Sequence, residues 1–346
     1  MVIAARAVKA RVGGVVDRRR IGQHSARGQS PRQARWSTRR ESTSEASSYG
    51  AVGGPAPKLS DALKSGEIID GRYRVEHRLG RGSAATVYAA RDTEAGRDVA
   101  IKVMRARLAG NREALARFRR EADVQTRIQH RNIAAIYGRG VVGNDQPYLA
   151  IELLRGRSMR DVVKNEAPIR PRRVASYGFQ ALAGLTEIHR AGILHRDLKL
   201  ANLMLEPSPG PVERVVLIDF GFASLDGAGR LTATGHVVGS LGYLAPERLQ
   251  GEIAETRSDL YALGIILFEL LAGRRPFIAD TDLGLVDLHL EAPVPRLSDV
   301  ARGHVTPIGE LEDVIRIALA KDPRDRFRDA TAMGEALATA GQQCPE

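Results

Sequence analysis

The sequence predicts an α+β fold in which a strand-rich first part is followed by a larger helical part. Short apolar runs with turn residues between them occupy residues 73–154. Beyond this region, longer segments have helical character. No internal repeat is visible. The change from strands to helices along one chain is therefore the main indication of the architecture.

Five elements are predicted in the first part. Three are strands, because they are short, rich in β-branched or aromatic residues and separated by glycine-containing turns. The fourth is a charged helical stretch with a histidine at its C-terminal end, and the fifth is an apolar strand without alternation. In order, the elements are Tyr73–Leu79, Ala85–Arg91, Asp98–Met104, residues 111–130 and Tyr148–Leu154.

Three longer helices are predicted in the second part, over Arg173–Arg190, Ser258–Ala272 and Leu311–Ala320. The most hydrophobic stretch is Leu260–Ala272, which contains an acidic residue and is too short to span a bilayer. No run of 18 or more apolar residues occurs in the sequence. The sequence therefore predicts a buried core helix here and no membrane span.

The overall composition fits a protein of a reducing compartment, and a cytoplasmic location is expected. The 346 residues suffice for one two-lobed domain or two ordinary domains. Cys344 is the single cysteine, so the chain cannot form an internal disulfide.

The positive charge is concentrated at the start of the chain. Residues 1–40 contain ten Arg and one Lys against one acidic residue, a net charge of +10. The whole chain carries +11, so the remaining 306 residues carry only +1. A basic nucleic-acid-binding domain is therefore not indicated, and no specific nucleic-acid partner is expected.

Residues 1–72 are expected to form a disordered basic arm and linker, since they contain few clustered apolar residues. Ser42–Pro57 has the composition of a flexible linker. Three interpretations of the arm remain open: a solvated tail or misplaced translation start, a weak polyanion or membrane-surface contact, and a targeting segment. The folded domain is expected over 73–338, with a short tail at 339–346.

Five short motifs occur along the chain in a specific order and spacing. They are Gly80-Arg81-Gly82, Val99-Ala100-Ile101-Lys102, His195-Arg196-Asp197-Leu198-Lys199-Leu200-Ala201-Asn202, Asp219-Phe220-Gly221 and Ala245-Pro246-Glu247. The set resembles the signature of protein kinases, in the form found in bacterial, eukaryotic-like serine/threonine kinases. The resemblance covers about residues 73–335. It implies a two-lobed fold, with an N-lobe over about 73–152 and a C-lobe over about 155–338.

The first motif resembles the glycine-rich loop of kinases. Gly80 and Gly82 allow the backbone to approach phosphate oxygens, where a Cβ would clash. The motif lies between two predicted strands, which argues against a dinucleotide-binding fold, where it must open a helix. This chain departs from the kinase pattern at the third glycine position, which is Ala85.

The resemblance implies that the nucleotide is ATP. Lys102 is expected to hold the α- and β-phosphates and to pair with Glu121. By motif position, the adenine is expected among Leu79, Val87, Ala100 and Met204, with Ile151 as gatekeeper and with the backbone of the hinge from Glu152 to Leu154 reading its edge.

The resemblance also assigns the chemistry of phosphoryl transfer. Asp197 would receive the proton of the acceptor hydroxyl, and Lys199 would balance charge on the γ-phosphoryl group. Asn202 and Asp219 are oxygen ligands suited to Mg²⁺, with Mn²⁺ as an alternative. Asp-Leu-Lys at Asp197–Lys199 is the serine/threonine form of this loop, so protein substrates with Ser or Thr acceptors are expected.

The segment from Asp219 to Glu247 resembles an activation segment. Thr232 and Thr234 resemble the autophosphorylation pair of bacterial kinases, and Arg196 could pair with a phosphate there. Two copies of the chain are therefore expected to associate, so that one phosphorylates these threonines in the other. Ser240 stands where serine/threonine kinases usually have Thr.

Several residues are expected to have scaffold roles. Glu247 is expected to pair with Arg326, and Asp259 to hold the backbone amides of the catalytic loop. The family packs four side chains in a regulatory stack, and the corresponding residues here are His195, Phe220, Ile136 and Gln125. Position 125 is usually apolar, and a buried amide there would cost roughly 1–3 kcal/mol if unpaired. Gln125→Leu is therefore expected to raise basal activity.

The leading hypothesis is thus an ATP-dependent, non-specific serine/threonine protein kinase. A pseudokinase that binds nucleotide without turnover is one alternative. The presence of the lysine, glutamate, aspartate and asparagine residues of the motifs argues against it. A small-molecule kinase of related fold is a second alternative, and the complete activation segment argues against it.

Overall fold

An antiparallel sheet of six strands forms the first part of the described chain. The computed structural model describes residues 63–82, 85–104, 122–143, 146–209, 212–220, 241–300 and 308–344. The strands are β1 (Ile68–Ile69), β2 (Tyr73–Arg81), β3 (Ala85–Asp92), β4 (Arg97–Met104), β5 (Ile136–Val142) and β6 (Gln146–Glu152). They lie in the order β1-β2-β3-β4-β6-β5. The four predicted strands of this region are present, and β1 and β5 were not predicted.

The sheet buries side chains on both faces, and one face carries Lys102. Because directly paired residues on adjacent strands share a face, Lys102 lies on the same face as its partner Leu149. Leu149 packs with Met104 and Ala122, and Ala122 belongs to the helical residues 122–125. The opposite face has its own core around Val75, Tyr88, Ile101 and Tyr148. Lys102 therefore points toward the side of the sheet on which the helix lies.

The sheet begins before residue 73, where the sequence predicts the domain to start. Ile69 of β1 pairs with Tyr73 and is 2% exposed. The Gly66 N–H donates to the Val75 carbonyl, and the Val75 N–H donates to the Glu67 carbonyl. Composition places these residues in the disordered arm because they contain few apolar side chains, but burial of Ile69 and the paired backbone groups attach them to the sheet.

The predicted helix over residues 111–130 ends earlier than expected. Residues 105–121 lie outside the described residues, and the helical turn over 122–125 gives way to a turn at Thr126. The Ile128 N–H bonds the Gln125 carbonyl three residues back, which is a tightened final turn. The prediction of helix as far as His130 is therefore wrong.

The described residues of the second part contain eight α-helices. They are α1 (Met159–Glu166), α2 (Pro171–Arg190), α3 (Pro246–Leu249), α4 (Thr256–Ala272), α5 (Asp282–Glu291), α6 (Leu297–Val300), α7 (Glu310–Ala318) and α8 (Ala330–Gln343). The three predicted helices are present with ends within two residues of the prediction. Among these described helices, none is long and apolar enough to cross a bilayer.

Helix α4 is the central element of the helical part. Glu255 and Ser258 form a capping box at its start, and Gly273 ends it in the left-handed conformation at φ 71°. Nearly all of its residues are buried, so it has no polar face. The helix therefore provides a rigid support around which the neighbouring elements pack.

A small antiparallel sheet lies at the start of the helical part. It consists of β7 (Arg157–Ser158), β8 (Leu203–Glu206) and β9 (Arg214–Leu217). Gly156 precedes β7, and a Cβ there would lie 1.9 Å from the Leu205 carbonyl oxygen. A side chain is thus excluded where the chain enters the second lobe.

The C-terminal helix extends beyond the predicted limit of the domain. Helix α8 continues to Gln343, and Leu337, Ala340 and Cys344 are buried. A Cβ on Gly341 would lie 2.7 Å from the Ala175 Cβ, so α8 packs closely on α2. Helix α8 therefore continues past residue 338, the predicted end of the domain, and its last turns pack in the core.

Candidate active site

The catalytic loop is anchored by its leucines. Leu198 and Leu200 are buried, and Lys199 between them has an extended backbone. Successive side chains of an extended segment point to opposite sides. The buried leucines therefore direct Asp197 and Lys199 away from the core, to the same side of the loop.

Asp197 is held by two neighbouring side chains. Lys199 Nζ lies 2.9 Å from one carboxylate oxygen of Asp197 and 2.7 Å from the other. Asn202 Nδ2 donates to the Asp197 carbonyl at 2.7 Å and to its carboxylate at 3.1 Å. The carboxylate is thus fixed in orientation before any acceptor arrives.

The β8–β9 pairing brings Asn202 and Asp219 to the same end of the hairpin. Leu203 at the start of β8 pairs with Leu217 at the end of β9. One step beyond this pair, the Ile218 N–H donates to the Asn202 carbonyl at 3.0 Å. Asp219 follows immediately. Two residues that are 17 positions apart in the chain are therefore neighbours in space.

Asn202 and Asp219 fit a magnesium site that is completed by phosphate oxygens. The nitrogen of the Asn202 amide is used on Asp197, which leaves the side-chain oxygen as its ligand atom. Among the described residues, no group of three or more His, Cys, Asp or Glu side chains could hold a metal ion. Mg²⁺ characteristically binds through one or two protein oxygens together with phosphates and water. The donor set matches that pattern.

Lys102 connects the sheet to Asp219. Gly80 pairs with Val87, and Val87 pairs with Lys102, so the three residues form a row across β2, β3 and β4. Lys102 Nζ lies 2.6 Å from Asp219 Oδ1, and its side chain is 12% exposed. The row thus runs from the glycine-rich loop to the predicted metal ligand. Glu121, the predicted partner of Lys102, lies outside the described residues.

The residues predicted around the adenine are apolar and mostly accessible. Leu79 is 48% exposed, and Val87, Leu154 and Met204 are partly buried. Ala100 is buried on β4, two residues before Lys102. Partly exposed apolar side chains beside a partly buried lysine are what a ligand cleft requires.

Glu152 uses its side chain within the protein. Its carboxylate accepts hydrogen bonds from the Ala135 N–H and from the Arg214 guanidinium. Its backbone N–H also donates to the Ala135 carbonyl, at 2.8 Å.

Ala85 has a packing role at the third glycine position. Its side chain is 5% exposed and packs with Met104 and Ala122. The Gly82 N–H donates to the Ala85 carbonyl at 2.8 Å, which closes the loop. The alanine methyl thus contributes to the core beneath the sheet.

Asp259 of α4 supports the catalytic loop from below. It accepts hydrogen bonds from the backbone N–H groups of His195 and Arg196 at 2.8 and 2.9 Å, and His189 Nε2 lies 2.8 Å from Oδ2. Burial raises the pKa of the Asp259 carboxyl, but the His189 and Arg196 hydrogen bonds outweigh it and hold the pKa below its ordinary value. Arg196 has φ 66°, a conformation that needs such support.

His195 and Phe220 pack together beneath the site. Their ring centroids are 6.4 Å apart. Burial lowers the pKa of His195, so the ring is neutral. Gln125, 1% exposed, donates from Nε2 to the Phe220 carbonyl at 2.6 Å. The amide nitrogen of Gln125 is therefore paired, because the Phe220 carbonyl faces it.

Glu247 and Arg326 form the buried ion pair that the sequence predicts. Two guanidinium nitrogens lie 2.9 and 2.8 Å from the two carboxylate oxygens, and the Ser258 hydroxyl donates to the same carboxylate at 2.6 Å. Burial raises the pKa of Glu247, and the Arg326 and Ser258 hydrogen bonds more than offset this, so the pKa is lowered. The ion pair attaches α3 to the segment after α7.

Comparison with known proteins agrees with this geometry. A family model for the protein kinase domain matches residues 73–337. The chain belongs to the protein kinase family.

Three bacterial protein kinases illustrate the similarity. Serine/threonine-protein kinase PknL of Mycobacterium tuberculosis is 38% identical over 277 residues, which are 80% of this chain and 67% of PknL. PknB of Mycolicibacterium smegmatis is 38% identical, over 77% of this chain and 42% of PknB. The PknI kinase domain of M. tuberculosis superposes with a TM-score of 0.64 at 27% identity, covering 81% of this chain and all of that domain.

These matches confirm the predicted bacterial-type serine/threonine kinase and its two-lobed α+β fold. Several predicted residues of the kinase lie outside the described residues, namely Glu121, Gly221, Thr232, Thr234 and Ser240.

Three contacts in the kinase site were not anticipated from the sequence. His189 and Ser258 bond the anchoring carboxylates of Asp259 and Glu247, and Gln125 bonds the Phe220 carbonyl. Only Gln125 carried a signal, since it is polar at a position that is usually apolar in the family.

Proposed function

We propose that this kinase transfers the γ-phosphoryl group of ATP to serine or threonine hydroxyls of proteins, with Asp197 as the proton acceptor. The observation that carries the proposal is the fixed Asp197 carboxylate, held by Lys199 and Asn202 at the end of the hairpin that presents Asp219. Nothing in this arrangement favours a nucleotide-binding pseudokinase.

In this proposal, Asp197 orients the acceptor hydroxyl and takes its proton. The hydroxyl oxygen forms a bond to the γ-phosphorus while the bond to the leaving ADP oxygen breaks. Lys199 lies beside the same carboxylate, where its ammonium can balance charge on the transferred group. Positioning and charge balance are the main contributions that phosphoryl transfer needs from a protein.

Asn202 and Asp219 would hold the magnesium ion, which neutralises charge on the phosphate oxygens when bound. Lys102, which lies next to Asp219, would hold the α- and β-phosphates. Gly80 and Gly82 would cover the phosphates with backbone N–H groups.

The adenine would lie against the apolar side chains of the cleft and the hinge backbone. Leu79, Val87 and Ala100 would contact it from the sheet, and Met204 from β8. The backbone carbonyl of Glu152 and the backbone of Leu154 would bind the edge of the base.

The proposed acceptors include the kinase itself. Thr232 and Thr234 would be phosphorylated in trans between two copies of the chain, and Arg196 would bind the resulting phosphate. The single cysteine supports a reducing, cytoplasmic setting for this activity.

The proposal is tested by incubating the full-length protein with γ-labelled ATP, Mg²⁺ and a generic basic protein. Label is expected on serine or threonine of the basic protein and, by peptide mapping, on Thr232 or Thr234. Asp197→Asn is expected to lower the transfer rate about 100- to 10,000-fold while ATP binding persists. Asp280→Asn, the same change at an exposed position, serves as the control.

Two results would contradict the proposal. ATP binding without any transfer by the wild-type protein would indicate the pseudokinase instead. A wild-type rate of phosphoryl transfer by Asp197→Asn would show that Asp197 is not the proton acceptor. Autophosphorylation confined to sites other than Thr232 and Thr234 would contradict only the assignment of these two threonines as phosphorylation sites.

A further inference from the structure

Gln125 makes a buried hydrogen bond to the segment that carries Asp219. Its side chain is 1% exposed, and Nε2 lies 2.6 Å from the carbonyl oxygen of Phe220. The two residues are 95 positions apart in the chain. The bond therefore links the helical turn over 122–125 directly to the residue after the predicted metal ligand.

Asp219 has a backbone conformation that other contacts must maintain. Its φ is 60°, in the left-handed region that residues with a Cβ rarely adopt. On one side its carboxylate is paired with Lys102 at 2.6 Å. On the other side the next residue, Phe220, is held through its ring near His195 and through its carbonyl by Gln125. The carbonyl contact is the one that fixes the direction of the backbone.

We propose that Gln125 is a positioning residue for phosphoryl transfer. Its amide N–H fixes the Phe220 carbonyl and so holds Asp219 in the conformation that presents a carboxylate oxygen to the metal ion. The inference rests on the proposed function, because it assigns Gln125 a role in the reaction that Asp219 serves.

The hydrogen bond of Gln125 can be removed without removing the packing of its side chain. An apolar residue at position 125 can fill the space beside Phe220, but it cannot direct a carbonyl. Methionine has a similar length and volume to glutamine and lacks the donor. Loss of the donor leaves the buried carbonyl without this partner, which is costly in an apolar setting. Gln125→Leu is therefore expected to lower activity, which reverses the expectation drawn from the sequence.

The first test is Gln125→Met in the full-length, phosphorylated protein. The expected result is a roughly tenfold lower kcat, together with a severalfold higher Mg²⁺ concentration for half-maximal rate. The KM for the protein substrate should change little. The melting temperature should fall by only a few degrees, because the core remains filled and only the hydrogen bond to the Phe220 carbonyl is lost. Gln129→Met is the matched control, since Gln129 is an exposed glutamine four residues after Gln125.

The second test is the pH profile of Gln125→Glu. Below the pKa of the introduced carboxyl, its O–H can donate to the Phe220 carbonyl as the amide does. Above that pKa, a carboxylate faces the carbonyl oxygen and repels it. Burial raises such a pKa. The kcat of this variant relative to wild type should therefore fall as pH rises, whereas Gln125→Met should give a ratio that does not vary with pH.

A purely structural role gives different results. It predicts that Gln125→Met is as active as wild type at every Mg²⁺ concentration. It also predicts that the relative kcat of Gln125→Glu does not depend on pH. Either result, with wild-type transfer intact, would overturn the positioning role and leave the proposed function standing. Absence of transfer by the wild-type protein would instead overturn the proposed function.

Discussion

At the residue scale, the site depends on side chains that divide their bonding atoms between two tasks. Asn202 uses its amide nitrogen on Asp197 and keeps its oxygen for the metal side. Asp259 uses two oxygens for backbone N–H groups and for His189. Such residues are not replaceable by others of similar size, because both functions of one side chain must be preserved.

Substitution of Gly80 distinguishes a role of this residue in ligand binding from a role in packing. A Cβ on Gly80 would meet no atom within 4 Å, so Gly80→Ala should leave the melting temperature unchanged. The added methyl would instead occupy the space through which the backbone approaches the phosphates. We expect kcat/KM for ATP to fall about tenfold, as for other small displacements of a bound substrate. Steady-state kinetics and thermal unfolding measure the two effects.

Gly156→Ala is the contrasting variant. Its Cβ would lie 1.9 Å from the Leu205 carbonyl oxygen, so the backbone must shift and the melting temperature should fall. An unchanged kcat/KM for ATP in Gly80→Ala would show that the phosphates do not approach this part of the loop.

At the element scale, buried polar pairs join segments that are far apart in the chain. Asp259 attaches helix α4 to the catalytic loop, and Glu247 attaches helix α3 to the segment after α7 through Arg326. Both carboxylates are almost completely buried. Because a buried charge needs its partners, these contacts fix the relative placement of elements more strictly than apolar packing does.

Removing one partner of the Glu247–Arg326 pair tests this coupling. Arg326→Met leaves a buried carboxylate without its cation, and we expect a loss of about 3–5 kcal/mol in the free energy of unfolding. The double variant with Glu247→Gln should be less destabilised than Arg326→Met, since no charge is left buried. Chemical denaturation of the two variants measures the difference.

Arg324→Met is the matched control for this experiment. The Arg324 side chain is 84% exposed and pairs with Asp322 at the surface. Exposed ion pairs contribute at most about 1 kcal/mol. Equal destabilisation by Arg324→Met and Arg326→Met would contradict the assignment of the buried pair as the contact between α3 and the segment after α7.

At the scale of the whole molecule, burial of titratable groups makes stability depend on pH. His289 in α5 is completely buried, with Nδ1 2.8 Å from the Tyr261 hydroxyl of α4 and its ring against Phe277. Burial, with the nearby charges of Lys321 and Arg275, lowers the pKa of His289 to about 4. The folded protein therefore keeps this ring neutral at pH values where the unfolded chain protonates it.

The sign of the effect follows from proton uptake. Between the ordinary histidine pKa of about 6.5 and the folded value, the unfolded state binds more protons, so stability falls as pH falls. For His289 the loss should approach roughly 3 kcal/mol by pH 4. His195 is also buried with a lowered pKa and contributes in the same direction. Lys321, with a pKa lowered by burial to about 8, stays charged throughout this window.

Urea denaturation of the full-length protein between pH 6.5 and 4 measures this dependence. His289→Gln should reduce the slope of unfolding free energy against pH, and the part that remains should come from His195 and the carboxylates. The same change at exposed His77 should leave the slope as in wild type. An identical slope in wild type and His289→Gln would contradict the role of His289.

Local sequence patterns predicted the main elements of the fold. The predicted strands and the three long helices appear in the structure with closely similar ends, because turn glycines, capping residues and apolar runs act within a few residues. The exceptions depend on distant contacts. β1 exists because Ile69 is buried against the sheet, and α8 extends because Ala340 and Gly341 pack on α2.

The sequence by itself determined which chemical groups this kinase contains and their order along the chain, from Gly80 to Glu247. Only the tertiary structure decided how they meet. It paired Lys102 with Asp219, placed His189 on Asp259 and set the Gln125 amide on the Phe220 carbonyl. The physical reason is that a hydrogen bond depends on distance and direction in space, and residues 70 to 117 positions apart acquire these only when the whole chain has packed.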